Sequence, residues 1–185
     1  MKKNNNILIL VFSAVLTALA IAIAMYMPKI KIPPASYTLF SHVPIVISMF
    51  ISPISAVFVS LGSTLGFFLA LSDTPVIGAR AATHIVWALI GAFIVKKIFN
   101  SKEDFKSKRQ WAKYIVLALV LNVIHGFLET VIAYAIFGLG AYKSIWLYIL
   151  AVGVGTFVHG FLDFMLGASI YSGIFPVLKK SLKNT

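Results

Sequence analysis

Apolar residues in this chain are grouped into six stretches, which short polar or proline-containing segments separate. A helix needs about 20 mostly apolar residues to cross a bilayer. The predicted helical segments run from about Ile7 to Met27, Val43 to Ile51, Ser55 to Leu71, Val76 to Ile98, Tyr114 to Phe137 and Ile145 to Leu178. Because the second stretch is short and lies between Pro44 and Pro53, stretches two and three form either two spans or one re-entrant pair.

The composition places the chain in a bilayer. It is 60% hydrophobic and 11% charged, whereas soluble domains carry about 25% charged residues. We therefore predict an all-α membrane protein in which residues 1–185 form a single integral membrane domain, with six transmembrane helices in one compact bundle. The absence of cysteine excludes disulfides. The sequence has no phosphate-binding loop for ATP and no nucleophile–base set, so we expect no cofactor in this chain and no enzyme.

The basic residues predict the orientation. With six helices, twelve of the sixteen cations lie on one side, near the two termini and in a loop of about residues 99–113. The positive-inside rule then makes this loop and both termini cytoplasmic. Topology thus explains the net charge of +11, and nucleic acid is not an expected partner. The first apolar run, of about 20 residues, is longer than the 7–15 residues of a signal-peptide core, which favours a retained helix.

Arg80 is the most unusual residue of the fourth stretch. A guanidinium in hydrocarbon costs about 2.5–3.5 kcal/mol at mid-helix, and no acidic residue is obviously placed to neutralise this one. A bound anion is the natural partner, because arginine can hold a carboxylate through two parallel hydrogen bonds. His84 lies one turn further on the same face, and Trp87 could stack on a flat ring. The alternative is that Arg80 reaches for lipid phosphates.

Stretches five and six share a short repeated motif, which we call the echo: His-Gly-Phe-Leu followed by an acidic residue. His125 precedes Glu129 by four residues, and His159 precedes Asp163 by four, so each pair lies on one helical face. Three interpretations stay open: pairs that satisfy each other inside the bundle, a polar wall of a ligand site, or a metal or proton pathway. Glu129 is the better ligand candidate of the two carboxylates, and Asn122 is a further polar candidate.

The segment from Met27 to His42 connects the first two stretches on the outer side. Two adjacent prolines block helix continuation there, yet the segment is apolar and aromatic for an exposed loop. It is therefore either a lid that folds over a site, to which Tyr37 would contribute, or a loop at the headgroup level.

Small residues recur at helical spacing in the first and third stretches. Ala14, Ala18 and Ala22 form a ridge that either docks another subunit or packs internally. The pair Gly62 and Gly66 favours internal packing.

These features together resemble the substrate-binding S components of energy-coupling factor (ECF) vitamin transporters. The shared features are six helices in under 200 residues, cytoplasmic termini, the alanine ridge and a long outer first loop. Segments such as Pro34-Ala-Ser-Tyr-Thr-Leu, Ser41-His-Val-Pro-Ile and Ala79-Arg-Ala-Ala-Thr-His84 are most similar to the niacin-type members.

The resemblance implies a function and partners. The chain would be the high-affinity substrate-binding subunit of an ATP-driven importer in the cell membrane. Its partners would be a transmembrane coupling subunit, docked on Ala14, Ala18 and Ala22, and two cytoplasmic ATPases that use the ATP. The small-molecule vitamin would bind near the outer face. The implied substrate site comprises these residues: Arg80, His84, Trp87, His125, Glu129, Tyr37 and Asn122.

Other functions stay open at this point. The alternative vitamins are pantothenate, biotin, folate and cobalamin. Metal-type members of the family use an N-terminal histidine, whereas the first histidine here is His42, so no metal is expected. An autonomous proton- or metal-coupled carrier, or a purely structural subunit, are the alternatives from other classes.

Overall fold

The computed structural model of the protein describes residues 2–32, 35–70, 75–99, 107–138 and 144–183. These residues form helices and one β-hairpin. The helices are α1 (Lys2–Tyr26), α2 (Val43–Ile51), α3 (Pro53–Leu69), α4 (Pro75–Ala82), α5 (His84–Ile98), α6 (Lys108–Phe137), α7 (Ile145–Tyr148) and α8 (Gly155–Lys183). The strands are β1 (Lys29–Ile32) and β2 (Ala35–Thr38), and a π-helix, Ile149–Val154, joins α7 to α8.

The predicted helical segments agree with these helices, with two refinements. The fourth stretch is broken at Thr83 into α4 and α5, and the sixth contains the π-helical turn. Four helical stretches in the described residues are long and apolar enough to cross a membrane: Asn6–Tyr26, Val76–Ile98, Lys108–Phe137 and Ile145–Pro176. The protein is therefore a predominantly helical membrane protein. The predicted loop of about 99–113 lies partly outside the described residues, and its last part is already helical from Lys108.

The second helix, α2, is too short to cross a bilayer by itself. The nine residues of α2 rise about 13 Å, against a hydrocarbon core of about 30 Å. Ser52 separates α2 from the 17-residue α3, and its hydroxyl accepts a hydrogen bond from the Ser55 backbone N–H at the start of α3. α2 packs against α3, α5 and α8, so its seven buried residues belong to the centre of the bundle.

The β-hairpin is the element that the all-α prediction omits. β1 and β2 are antiparallel, with Lys29 opposite Thr38 and Ile32 opposite Ala35. β1 is mostly exposed, whereas Ala35, Tyr37 and Thr38 of β2 are buried. The hairpin therefore packs one strand onto the bundle. Pro33 and Pro34, which suggested a non-helical segment, lie outside the described residues.

Close helix contacts and an aromatic cluster hold the bundle together. A Cβ on Gly66 would approach the Ile21 carbonyl oxygen to 2.8 Å, and one on Gly62 would meet Thr17, so this glycine pair serves internal packing between α3 and α1 as predicted. At one end of the interior, five rings stack or meet edge to face at 4.6 to 6.5 Å between centroids. We call them the aromatic cluster: Phe50, Phe99, Tyr114, Phe164 and Tyr171.

Candidate functional site

The break between α4 and α5 positions Arg80 and His84. The Thr83 hydroxyl donates to the Arg80 carbonyl oxygen over 2.7 Å where the helix is interrupted. The side chains on either side of this break are buried, with 3% relative exposure for Arg80 and 2% for His84. The helix pair thus carries a guanidinium and an imidazole into the interior of the bundle.

Glu129 neutralises Arg80, so the expectation that no acidic residue is placed to pair with it is wrong. Nε and Nη2 of Arg80 donate to Glu129 Oε2 over 3.1 and 2.5 Å, and the Thr156 hydroxyl donates to the same oxygen over 2.7 Å. Arg80 and Glu129 are 49 residues apart, and packing of α4 on α6 brings them together. Arg80 Nη1 is buried and has no hydrogen-bond partner among the described residues.

All four histidines of the chain converge beside this ion pair. His42, at the start of α2, lies in the middle, with its ring centroid 4.8 Å from that of His84, 4.9 Å from that of His125 and 4.8 Å from that of His159. His42 Nε2 is 3.3 Å from His84 Nε2 and 3.1 Å from His125 Nε2. Imidazoles from four separate segments therefore meet at one point.

Asp163 orients the central histidine. Its Oδ2 lies 3.0 Å from the His42 backbone nitrogen and 3.2 Å from His42 Nδ1. A carboxylate that accepts the Nδ1–H leaves the Nε2 lone pair directed at the other rings. The carboxylate also satisfies a backbone donor at the amino end of α2, where negative charge is favourable.

The echo in α6 and α8 places each histidine beside its own carboxylate. His125 Nε2 is 3.7 Å from Glu129 Oε1, and His159 Nε2 is 3.5 Å from Asp163 Oδ2. The predicted sharing of one helical face is therefore correct for both pairs. The two pairs also meet across the bundle. We call the combined set the polar cluster: His42, His84, His125, His159, Arg80, Glu129, Thr156 and Asp163.

A pocket reaches the polar cluster from beneath the hairpin. Its atom-free space is about 310 Å³ when the solvent at its open mouth is included. Four of the residues predicted for the substrate site line it: Tyr37, Arg80, His84 and Glu129. The other lining residues are Ser36, Thr38, His42, Phe67, Ile77, Ala81, Thr156 and His159.

Three residues predicted for the substrate site do not line this pocket. Trp87 is fully buried, with its ring centroid 5.0 Å from that of His125 and 5.5 Å from that of His42, so it supports the histidines from behind. His125 is equally buried beside it. Asn122 donates to the Ala118 carbonyl oxygen and lies against Gly160, on the wall of a separate groove between α6 and the π-helix.

Tyr37 covers the guanidinium from the hairpin. The Arg80 Cζ atom lies 5.9 Å from the centre of the Tyr37 ring, a cation–π arrangement. The Tyr37 hydroxyl donates to the carbonyl oxygen of Ala151 in the π-helix. This hydrogen bond attaches the hairpin to the π-helix.

Sequence reasoning missed two residues that matter here. His42 was not predicted for the substrate site because it stands alone in a loop, although its position just before a Pro-containing helix start is a weak signal. Thr156 lies three residues before His159 on the same helical face, which the echo could have indicated. The contact of Thr156 with Glu129 depends on how α6 and α8 pack, so the sequence could not have shown it.

The alanine ridge lies on the outer surface of α1. Ala14, Ala18 and Ala22 are exposed, whereas Ala20 and Ala24 are buried. The ridge therefore does not pack inside this chain, which removes the internal-packing alternative for these three alanines.

The polar cluster offers two kinds of chemistry. The Nη1 atom of Arg80 is a buried cationic donor that meets no acceptor in the part of the chain that the structure describes, and it can hold an anion. The histidines and carboxylates also form two groups with metal-ligand character, His42–His84–His125 and His42–His159–Asp163, with ligand atoms within 4.8 Å of one another.

The chain is 36% identical over 176 residues to the niacin transporter NiaX of Lactococcus lactis subsp. cremoris (strain MG1363). The aligned region covers 91% of this chain and 76% of NiaX. The chain belongs to the niacin-type family of S components. This agrees with the resemblance found in the sequence, including its subgroup. The niacin-type family consists of transport proteins, as expected for a chain that is not an enzyme. No family model and no solved structure matches the chain.

Proposed function

We propose that this chain is the high-affinity substrate-binding subunit of an ATP-driven ECF importer, and that its substrate is nicotinate, the anionic form of niacin. The observation that carries the proposal is the buried guanidinium at the end of the pocket. Glu129 takes up two of its nitrogens, and the third, Nη1 of Arg80, has no acceptor among the described residues. The family of the chain favours niacin over pantothenate, biotin, folate or cobalamin.

In this proposal the pocket holds a flat aromatic carboxylate. Arg80 anchors the carboxylate, and Glu129 and Thr156 hold the guanidinium in place. His84 supplies a further donor at the pocket wall. Tyr37 closes over the ligand, so that release requires the hairpin to leave its contact with Ala151.

The proposed assembly follows the family pattern. Residues 1–185 form one membrane domain of six helical segments in the cell membrane, with both termini cytoplasmic. The exposed ridge of Ala14, Ala18 and Ala22 docks a transmembrane coupling subunit, because small side chains let a partner helix approach closely. Two cytoplasmic ATPases supply the energy, and this chain carries no cofactor.

The test is equilibrium binding of nicotinate and of nicotinamide to the purified full-length chain. Nicotinamide has the same shape without the negative charge, so we expect the chain to prefer nicotinate. Arg80→Lys keeps a positive charge but loses the planar, forked set of donors that a guanidinium offers a carboxylate. Arg109→Lys is the matched control, since Arg109 is the other arginine and is exposed. Weakening one partner of a buried charge pair costs about 2–5 kcal/mol, so Arg80→Lys should weaken nicotinate binding by at least about thirtyfold.

The proposal is wrong if Arg80→Lys and the parent bind nicotinate equally well, or if nicotinamide binds as tightly as nicotinate. Vesicles that contain this chain alone distinguish it from an autonomous carrier. We expect no sustained nicotinate accumulation there under a pH gradient, and accumulation only when the coupling subunit, the ATPases and ATP are added.

A further inference from the structure

Three imidazole nitrogens face one another in the polar cluster. His42 Nε2 is 3.3 Å from His84 Nε2 and 3.1 Å from His125 Nε2, and all three nitrogens lie within 4.8 Å of one another. A zinc ion binds imidazole nitrogen at about 2.0–2.1 Å, which makes the ligand–ligand edge of a tetrahedral site about 3.3–3.4 Å. The observed separations around His42 are close to that edge.

Glu129 lies beside two of these three histidines. Its Oε1 is 3.4 Å from His84 Nε2 and 3.7 Å from His125 Nε2, while its Oε2 is held by Arg80 and Thr156. The two oxygens thus face different partners, and Oε1 is directed at the histidines. Imidazole and carboxylate together suit zinc and its neighbours among the divalent transition metals.

The surroundings of the three histidines are those of a metal site. Asp163 accepts from His42 Nδ1, an arrangement that commonly orients a metal-binding imidazole and leaves its Nε2 lone pair free. Nδ1 of His84 and of His125 has no hydrogen-bond partner among the described residues, so these two rings are engaged through Nε2. His42, His84 and Glu129 line the pocket, which gives an ion an entry path.

We propose that His42, His84 and His125 bind one divalent transition-metal ion, with Glu129 Oε1 as the fourth protein ligand and zinc as the best fit. This departs from the expectation, drawn from the position of the first histidine, that the chain holds no metal. The proposed ion is resident beside the substrate pocket and is not the cargo.

Charge balance gives such an ion a role, and this step rests on the proposed binding of nicotinate. The polar cluster holds one guanidinium and two carboxylates, Glu129 and Asp163, which leaves a single net negative charge when the histidines are neutral. An anionic vitamin would double that negative charge in a buried site. A divalent cation changes the net charge of the polar cluster from negative to positive. Binding of one anionic vitamin then makes the site neutral.

The test measures metal binding without any vitamin. The full-length chain, purified with a tag that contains no histidine and stripped with a chelator, is titrated with Zn²⁺ and with Co²⁺. We expect about one ion per chain, a visible Co²⁺ spectrum of tetrahedral type, and a higher melting temperature with Zn²⁺ than with Mg²⁺.

Variants of the histidines locate the ion. Mutation of a residue that hydrogen-bonds to a metal ligand lowers metal affinity by about 10–100-fold. His125→Gln removes a direct ligand, so it should weaken Zn²⁺ binding by more than about 100-fold. Asp163→Asn should weaken it by about 10–100-fold. His159→Gln removes the remaining histidine and should leave the Co²⁺ spectrum in place. His84→Gln repeats the test if His125→Gln does not fold.

Several outcomes overturn the metal site. One is a parent protein that binds no stoichiometric Zn²⁺. Another is loss of binding in His159→Gln but not in His125→Gln, which would assign the ion to His42, His159 and Asp163. If the chelated and the Zn²⁺-loaded proteins bind nicotinate equally tightly, the charge-balancing role is wrong while the nicotinate site stands.

Discussion

The aromatic cluster and the polar cluster occupy the same bundle interior but are built on opposite principles. The aromatic cluster consists of rings in contact, and its few polar atoms lie on two tyrosines. The polar cluster packs four histidines, two carboxylates and a guanidinium with little exposure to solvent. His42 immediately precedes α2 and Phe50 lies near its end, and α8 contributes to both clusters, so the two clusters are a short distance apart along the same helices.

This difference separates stability from function. Ring packing buries apolar surface and stabilises the bundle without specifying a ligand. Buried charges are expensive, and replacing them with apolar residues often stabilises a protein, so their presence requires another explanation. Binding supplies one, because a ligand site must keep polar groups that stability alone would not select.

Phe50→Ala should have the largest effect on stability. Phe50 contacts four rings of the aromatic cluster, and truncation of a phenylalanine in a core costs about 3–5 kcal/mol, with the lower value applying to this half-buried residue. For a chain of this size we expect the melting temperature to fall by about 6–12 °C. Phe58→Ala, at a 53% exposed position, is the control. Nicotinate affinity below the melting range should be unchanged; a parallel loss of affinity would mean that the two clusters are not separable.

Thr156→Val should have an intermediate effect, on affinity as well as on stability. The Thr156 hydroxyl donates to Glu129 Oε2, and a hydrogen bond to a charged group contributes about 1.5–3 kcal/mol. Nicotinate affinity should fall by about tenfold or more, as measured by equilibrium binding. Thr130→Val makes the same chemical change at a hydroxyl that donates to a backbone carbonyl outside the pocket, and it should leave affinity intact. Equal effects of the two variants would contradict a positioning role for Thr156.

Ala18→Leu should have the smallest effect on the isolated chain. Ala18 is exposed on α1, far from both interior clusters, so its stability change should stay within about 0.5 kcal/mol and nicotinate affinity should not change. With the partner subunits present, the larger side chain should block docking and abolish uptake, as measured by co-purification and transport in vesicles. Normal uptake by this variant would remove the alanine ridge as the docking surface.

Local patterns of the sequence predicted the helices and the faces within them. The bounds of α2 agree with the predicted stretch from Val43 to Ile51, because prolines and polarity mark both of its ends. The histidine–carboxylate echo placed each pair correctly, because a spacing of four residues fixes neighbours on a helix whatever the tertiary structure. The hairpin was not predicted, because strands of only four residues each are too short to give a clear pattern of alternating polar and apolar residues in the sequence.

By itself, therefore, the sequence determined a helical membrane protein that resembles the niacin-type family, with Arg80 in its fourth apolar stretch and a ridge of alanines on α1. Only the tertiary structure decided that Glu129 is the partner of Arg80, that His42 joins three distant histidines and that the alanines face outward. The physical reason is that helical periodicity fixes which residues share a face, whereas the packing of helices fixes which faces meet. The charge that Arg80 needs comes from another helix, and the guanidinium nitrogen left over is the one that meets the substrate in the proposed site.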